Sequence, residues 1–430
     1  ALNGLPGLLG SSICETLEMK RLAEFLLEAI NELALDDQYP VNIFEELAYF
    51  IEGLSVVLAS EKDDLSYWEK SNSLKEHYRF LILDGIEGRE KKLTVEQIKI
   101  FLKNIIEKTE KAFEKSFDEK GFLRTYFYHE VIEYERLSCE GGSLFVRPLK
   151  FKKYALPLFL EGYVHALKVE KDSQKACELY RQVRHSGLYD KKLKMYKVNE
   201  DLSTESEEIG RTRIFPSGWL ENESVWIHME YKFMLELLRR GMAKEFYENF
   251  KNVFIPFLAP EVYGRSILEN SSFIVSSAHE DKNLHGRGFV ARLSGSTAEF
   301  VHIWLGMNVG LKPFVRDEKG ALMCVLNPCL SAELFTSQKS TVFLTTLDHQ
   351  RKKIELPAHS YVCHFLSNIL LVYHNPKAKN TFGSDKVNIS EIHLTYPGQV
   401  PVKICSSVIG APYAQDIRDR KVERIDVYLK

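Results

Sequence analysis

Lys312-Pro313-Phe314 is where the sequence changes period. Upstream, apolar residues recur at helical spacing, as in Leu17, Leu22, Phe25, Leu26, Ile30 and Leu33, which predict a helix over 14–35. The same spacing predicts helices over 42–60, 64–83, 94–117, 153–168, 174–186, 223–240, 242–254 and 295–308, joined by loops and not by strands. Ile98, Ile100, Phe101, Ile105 and Ile106 make a wide apolar face that must bury against a neighbour. Downstream of Pro313 the pattern shortens to β-rich runs at 321–326, 340–347, 353–356, 369–373, 387–394, 402–404 and 424–429, bounded by Gly, Pro, Asn and Asp. The expectation is a mainly α fold with two domains. Residues 1–311 form the helical portion, and 312–430 form a small antiparallel β-sandwich or jelly-roll-like domain.

At 430 residues the chain can bury two cores, and its 45% apolar and 27% charged residues are ordinary for a globular protein. With 57 Lys+Arg against 60 Asp+Glu, the net charge of −3 gives no reason to expect a nucleic-acid or membrane partner. A neutral polar substrate fits that balance. The seven cysteines are odd in number and form no Cys-x-x-Cys pair, so they read as reduced, mostly buried thiols of a cytoplasmic protein, with no zinc pattern. No apolar run approaches the roughly 18 residues of a membrane span, and no signal segment is apparent. The chain opens on Ala1-Leu2-Asn3-Gly4-Leu5-Pro6, as though inside a structured loop.

Three segments carry chemistry. In the first, Arg211 to His228, a Pro-Ser-Gly-Trp loop runs into a helix and gathers two arginines, two tryptophans, Glu221, Asn222, Glu223 and His228. Sugars need this mixture, because their apolar faces stack on aromatic rings while their hydroxyls need carboxylate and amide partners. The bland alternative makes Asn222 a helix cap and Trp226 a core residue. The second segment, Tyr263 to Phe273 with Glu269 and Asn270, continues through Ala278-His279-Glu280-Asp281 to Phe289. It is a long polar stretch too aromatic for disorder. In the third, Ala291-Arg292-Leu293-Ser294-Gly295-Ser296-Thr297, a Ser/Gly/Thr turn opens a helix and offers backbone amides to an anion.

Together these segments resemble the phosphorylases of glycoside hydrolase family 94. Glu221-Asn222-Glu223-Ser224-Val225-Trp226-Ile227-His228 resembles the family's Glu-Asn-Gly-Gly-x-x-x-His run, and Leu293-Ser294-Gly295-Ser296 resembles its Leu-Thr-Gly-Thr turn. Ala1-Leu2-Asn3 resembles the end of its Asp-Trp-Asn-Asp-x-Leu-Asn motif. In that alignment the family's general acid stands just before Ala1, and Glu223 and Ser224 replace two family glycines. The wording of 263–273 and 288–300 is closer to the 1,2-β-oligoglucan branch.

The resemblance implies an (α/α)6-toroid-type catalytic domain, incomplete in this chain, and inverting phosphorolysis of β-linked gluco-oligosaccharides that releases α-glucose 1-phosphate. It assigns phosphate to His228, Ser294 and Gly295, with Arg292 a candidate to add charge there, while Trp219, Glu221, Asn222, Glu269 and Asn270 are the candidates for holding the sugar. No metal or organic cofactor is implied. Inorganic phosphate is the co-substrate, and a homodimer is the assembly of large family members. Two alternatives stand beside it: an inverting glycoside hydrolase on the same scaffold, and a non-catalytic glucan-binding fragment.

Overall fold

A computed structural model describes residues 9–60, 63–138, 144–291, 296–345 and 350–430. The chain divides into two compact units, one of Ala1–Glu230 with Phe273–Phe289 and one of Tyr231–Ser272 with Val290–Lys430.

In the first unit, α1 (Ile13–Glu32) begins at Ser12, whose side chain accepts from the Cys14 amide at 3.0 Å. Its buried face of Ile13, Cys14, Leu17 and Ala23 packs on α4 (Val95–Glu114) and on α5 (Leu160–Val169). A reciprocal pair between Thr94 and Gln97 fixes the start of α4, satisfying two amides that the helix leaves open. Between α1 and α4, α2 (Glu45–Ser60) packs on α3 (Asp64–Leu81). α6 (Ser173–His185) follows α5 and packs on it.

The expectation of helices joined only by loops is overturned. Pro40–Phe44 pairs antiparallel with Glu90–Thr94, and Tyr126–Ser138 forms a long antiparallel ladder with Leu144–Ala155. The second hairpin also takes the first residues of the helix expected over 153–168, which begins instead at Leu160, after Pro157. Cross-strand chemistry is the cause. Glu130 faces Lys152, Glu133 faces Lys150 and Glu135 faces Arg147, while Tyr128 stacks on Tyr154 at 4.9 Å.

The second unit holds most of α7 (Ile227–Arg239), then α8 (Ala243–Val253), the helix Ser296–Asn308 and the β-rich tail. In the tail's five-stranded sheet the order is Ser360–Phe365, Ile369–His374, Arg424–Leu429, Ile389–Thr395 and Val402–Ile404. Ile369–His374 pairs parallel with Arg424–Leu429, so the sheet is mixed and not the expected antiparallel one. Burial on both faces decides this placement. Leu371 and Tyr373 pack into the main core with Cys324, Ile392, Ile425 and Val427. Leu370 and Val372 pack against Leu344 and Leu356 of the hairpin Ser340–Thr345 and Arg351–Leu356. A strand covered twice reads as a continuous apolar run, as Ile369–Tyr373 does.

The mainly α, toroidal expectation therefore fails. The chain is 39% helical and 25% strand, its strands fall into many small sheets, and no toroid is shown. Helical periodicity located the helices but could not see strands whose partners lie elsewhere. No helix among the described residues is long and apolar enough to cross a membrane.

Candidate functional site

The loop that leads into α7 is held in a conformation few residues adopt. Gly218 (φ 80°), Leu220 (φ 50°) and Glu223 (φ 56°) all occupy the left-handed region. The two non-glycine residues cost roughly 1–3 kcal/mol each, a strain that persists only where surroundings enforce it. Reciprocal backbone bonds of 3.1 Å between Trp219 and Asn222 close the turn. Asn222, only 2% exposed, donates to the Phe215 carbonyl at 2.8 Å. Its Oδ1 has no hydrogen-bond partner among the described residues.

Two residues from far upstream brace the other side. Lys197 forms a buried ion pair with Glu223. Asn199 accepts from the Glu223 amide at 2.7 Å and donates to the Glu221 carbonyl at 2.7 Å. The Leu220 carbonyl accepts from both the Ser224 hydroxyl and Trp226 Nε1.

On this frame Trp219 is half-buried, with its ring 4.7 Å from Phe289, 5.2 Å from Phe273 and 6.0 Å from His279. Ser276 donates its amide to the Gly218 carbonyl at 3.2 Å, tying the loop to 273–289. The Glu221 carboxylate is gripped by both arms of Arg211, at 2.6 and 3.2 Å, with the Thr212 hydroxyl at 3.3 Å. The indole, packed among Phe273, His279 and Phe289, stands on the same short loop as a carboxylate held in fixed geometry by a guanidinium.

His228 is half-buried in the first turn of α7, near the positive end of that helix. Two residues on, Glu230 is fully buried, and its Oε1 accepts from the Tyr196 amide at 2.8 Å. Oε2 has no hydrogen-bond partner among the described residues. Burial pushes this carboxyl well above the usual range, and the nearby Asp190 charge adds to the effect.

Trp219, Glu221, Asn222 and His228 thus lie within one unit on one continuous loop and helix start. Glu269 and Asn270 belong to the second unit. There Glu269 pairs with Arg265 at 2.6 Å, and Asn270 donates to the Thr297 hydroxyl at 3.4 Å. Arg292, Ser294 and Gly295 lie outside the described residues, and the helix they precede begins at Ser296.

Sequence reading passed over Lys197, Asn199 and Glu230. The first two stand 26 and 24 residues before Glu223, which both of them bind, so no local spacing marks them. Glu230 gives a weak signal, as one of two acids, with Glu236, buried on a largely apolar helix. No family model matches the chain, and no curated protein does.

Proposed function

We propose that this chain takes part in inverting phosphorolysis of β-linked gluco-oligosaccharides, as a cytoplasmic enzyme releasing α-glucose 1-phosphate. The observation that supports the reading is the half-buried Trp219 ring, carried on a strained and heavily braced loop beside the Glu221–Arg211 pair. In this reading a glucosyl ring lies against Trp219, and Glu221 and Arg211 bond to its hydroxyls. Phosphate is drawn to His228 and the start of α7, and attacks the anomeric carbon from the face opposite the leaving sugar, whose glycosidic bond breaks as its oxygen takes a proton from a general acid. A hydrolase needs a second carboxylate to activate water. Phosphate is already an anionic nucleophile and needs none.

The test incubates the protein carrying this chain with β-linked glucose oligomers, with and without phosphate. Glucose 1-phosphate formed only with phosphate is the expected product. Reducing sugar released without phosphate would make the protein a hydrolase, and oligosaccharide binding with no turnover would make it a glucan-binding module. Either result overturns phosphorolysis. His228→Ala is expected to raise the KM for phosphate about tenfold, by loss of a charge-assisted bond, with the sugar KM little changed.

A further inference from the structure

Within the first unit, α1 and α5 face each other with a set of metal-ligand side chains between them. Cys14 and Glu18 are four residues apart on α1, and Glu161 and His165 are four apart on α5, so each pair shares one helix face. One ligand atom each from Cys14, Glu161 and His165 lies within 4.8 Å of the others. Cys14 is 3% exposed and the His165 side chain 12%. No local spacing signals this cluster, because a zinc reading looks for short Cys and His spacings, and here Glu18 on α1 and His165 on α5 stand 147 residues apart.

We propose that Cys14, Glu161 and His165 form a zinc(II) site, with a fourth position left for water. A sulfur, nitrogen and oxygen set suits a borderline-soft tetrahedral ion, whereas calcium and magnesium demand oxygen. The surroundings are those that orient metal ligands. His165 Nδ1 is hydrogen-bonded to Glu18 Oε1 at 2.8 Å, which leaves Nε2 to turn its lone pair toward a cation. Lys168 at 2.9 Å and Arg21 at 2.6 Å hold the Glu18 carboxylate in place against the imidazole. The Tyr126 hydroxyl donates to Glu161 Oε2, fixing that carboxylate and leaving its other oxygen for the ion. A bound dication takes Cys14 as the thiolate, and the thiol proton leaves to solvent.

Zinc uptake by the purified chain, read by elemental analysis after gel filtration and by chelator competition, is expected to reach one ion per chain. Cobalt(II) loading is expected to give the near-ultraviolet thiolate-to-metal band. Cys14→Ser abolishes that band, and Cys405→Ser, a change at an exposed thiol, leaves it intact. Glu18→Gln, at a positioning residue, keeps the band and weakens binding by about 10–100-fold. X-ray absorption of the zinc-loaded, unsubstituted chain should show one sulfur at about 2.3 Å, a readout that survives if a variant does not fold. Less than half an ion per chain, a cobalt band that persists in Cys14→Ser, or a zinc shell without sulfur overturns the site. No sugar or phosphate enters these measurements, so their outcome is independent of the proposed phosphorolysis.

Discussion

Gly218 sits at φ 80°, and a Cβ built there would lie 2.6 Å from the His279 amide nitrogen. Both facts forbid a side chain, since the left-handed region strains any L residue and backbone cannot move aside. Gly218→Ala is expected to cost about 1–3 kcal/mol, seen as a lower melting temperature, and, under the proposed function, to weaken oligosaccharide binding by displacing Trp219. Glu230 is a residue of the opposite kind, a buried carboxyl whose surroundings favour its neutral form. Its folded pKa is raised by burial, so its contribution to stability is complete below the ordinary glutamate value. That contribution is lost as the pH climbs toward the folded pKa. Glu230→Gln keeps an acceptor for the Tyr196 amide and removes the titration. The variant is expected to melt higher than the parent at pH 8 and close to it at pH 4. An unchanged difference between the two pH values would mean that Glu230 does not titrate with folding.

At the scale of elements, the mixed sheet is pinned by charge as well as by apolar burial. His374 on one strand and Arg424 on its parallel neighbour both bond to Asp426, at 2.7 Å from His374 and at 2.6 and 2.7 Å from Arg424. Burial alone would raise the Asp426 carboxyl, but His374 and Arg424 outweigh it and hold it below the usual range. The stability it contributes is therefore present above the ordinary aspartate value near 4 and is lost as the pH falls through the folded pKa. Asp426→Asn leaves the guanidinium without its counter-charge and is expected to cost about 3 kcal/mol at pH 7, with the difference shrinking in acid. Chemical denaturation across that range measures it. Most helices were legible: α1 to α4, α6 and α8 fall within a few residues of the expected spans, because the i to i+4 pattern is local. Ser360–Phe365 escaped notice, and so did the hairpin Tyr126–Ala155. Their charged and aromatic residues make sense only opposite a partner strand.

For the whole molecule, the path of the chain matters more than its order. Residues 273–289 return to the first unit after the chain has entered the second, bringing Phe273, His279 and Phe289 to Trp219 and pairing Ile274 with Val225. A fragment ending at Glu230 is expected to show red-shifted tryptophan emission, even where α1 to α6 still form. Blue emission equal to that of the full chain would mean that the aromatic cluster does not shield Trp219. The sequence by itself determined where α1 to α4, α6 and α8 lie, the β-rich runs after Pro313, and the nearness of Trp219, Glu221, Asn222 and His228 on one loop and helix start. Each is written in residues close enough to meet through a single turn of backbone. Only tertiary structure decided the parallel pairing of Ile369–His374, the bracing of the loop by Lys197 and Asn199, and the meeting of Cys14 with His165. Those contacts join segments tens to more than a hundred residues apart, and which distant surfaces close on one another is set by the burial of both, a quantity no local window of sequence contains.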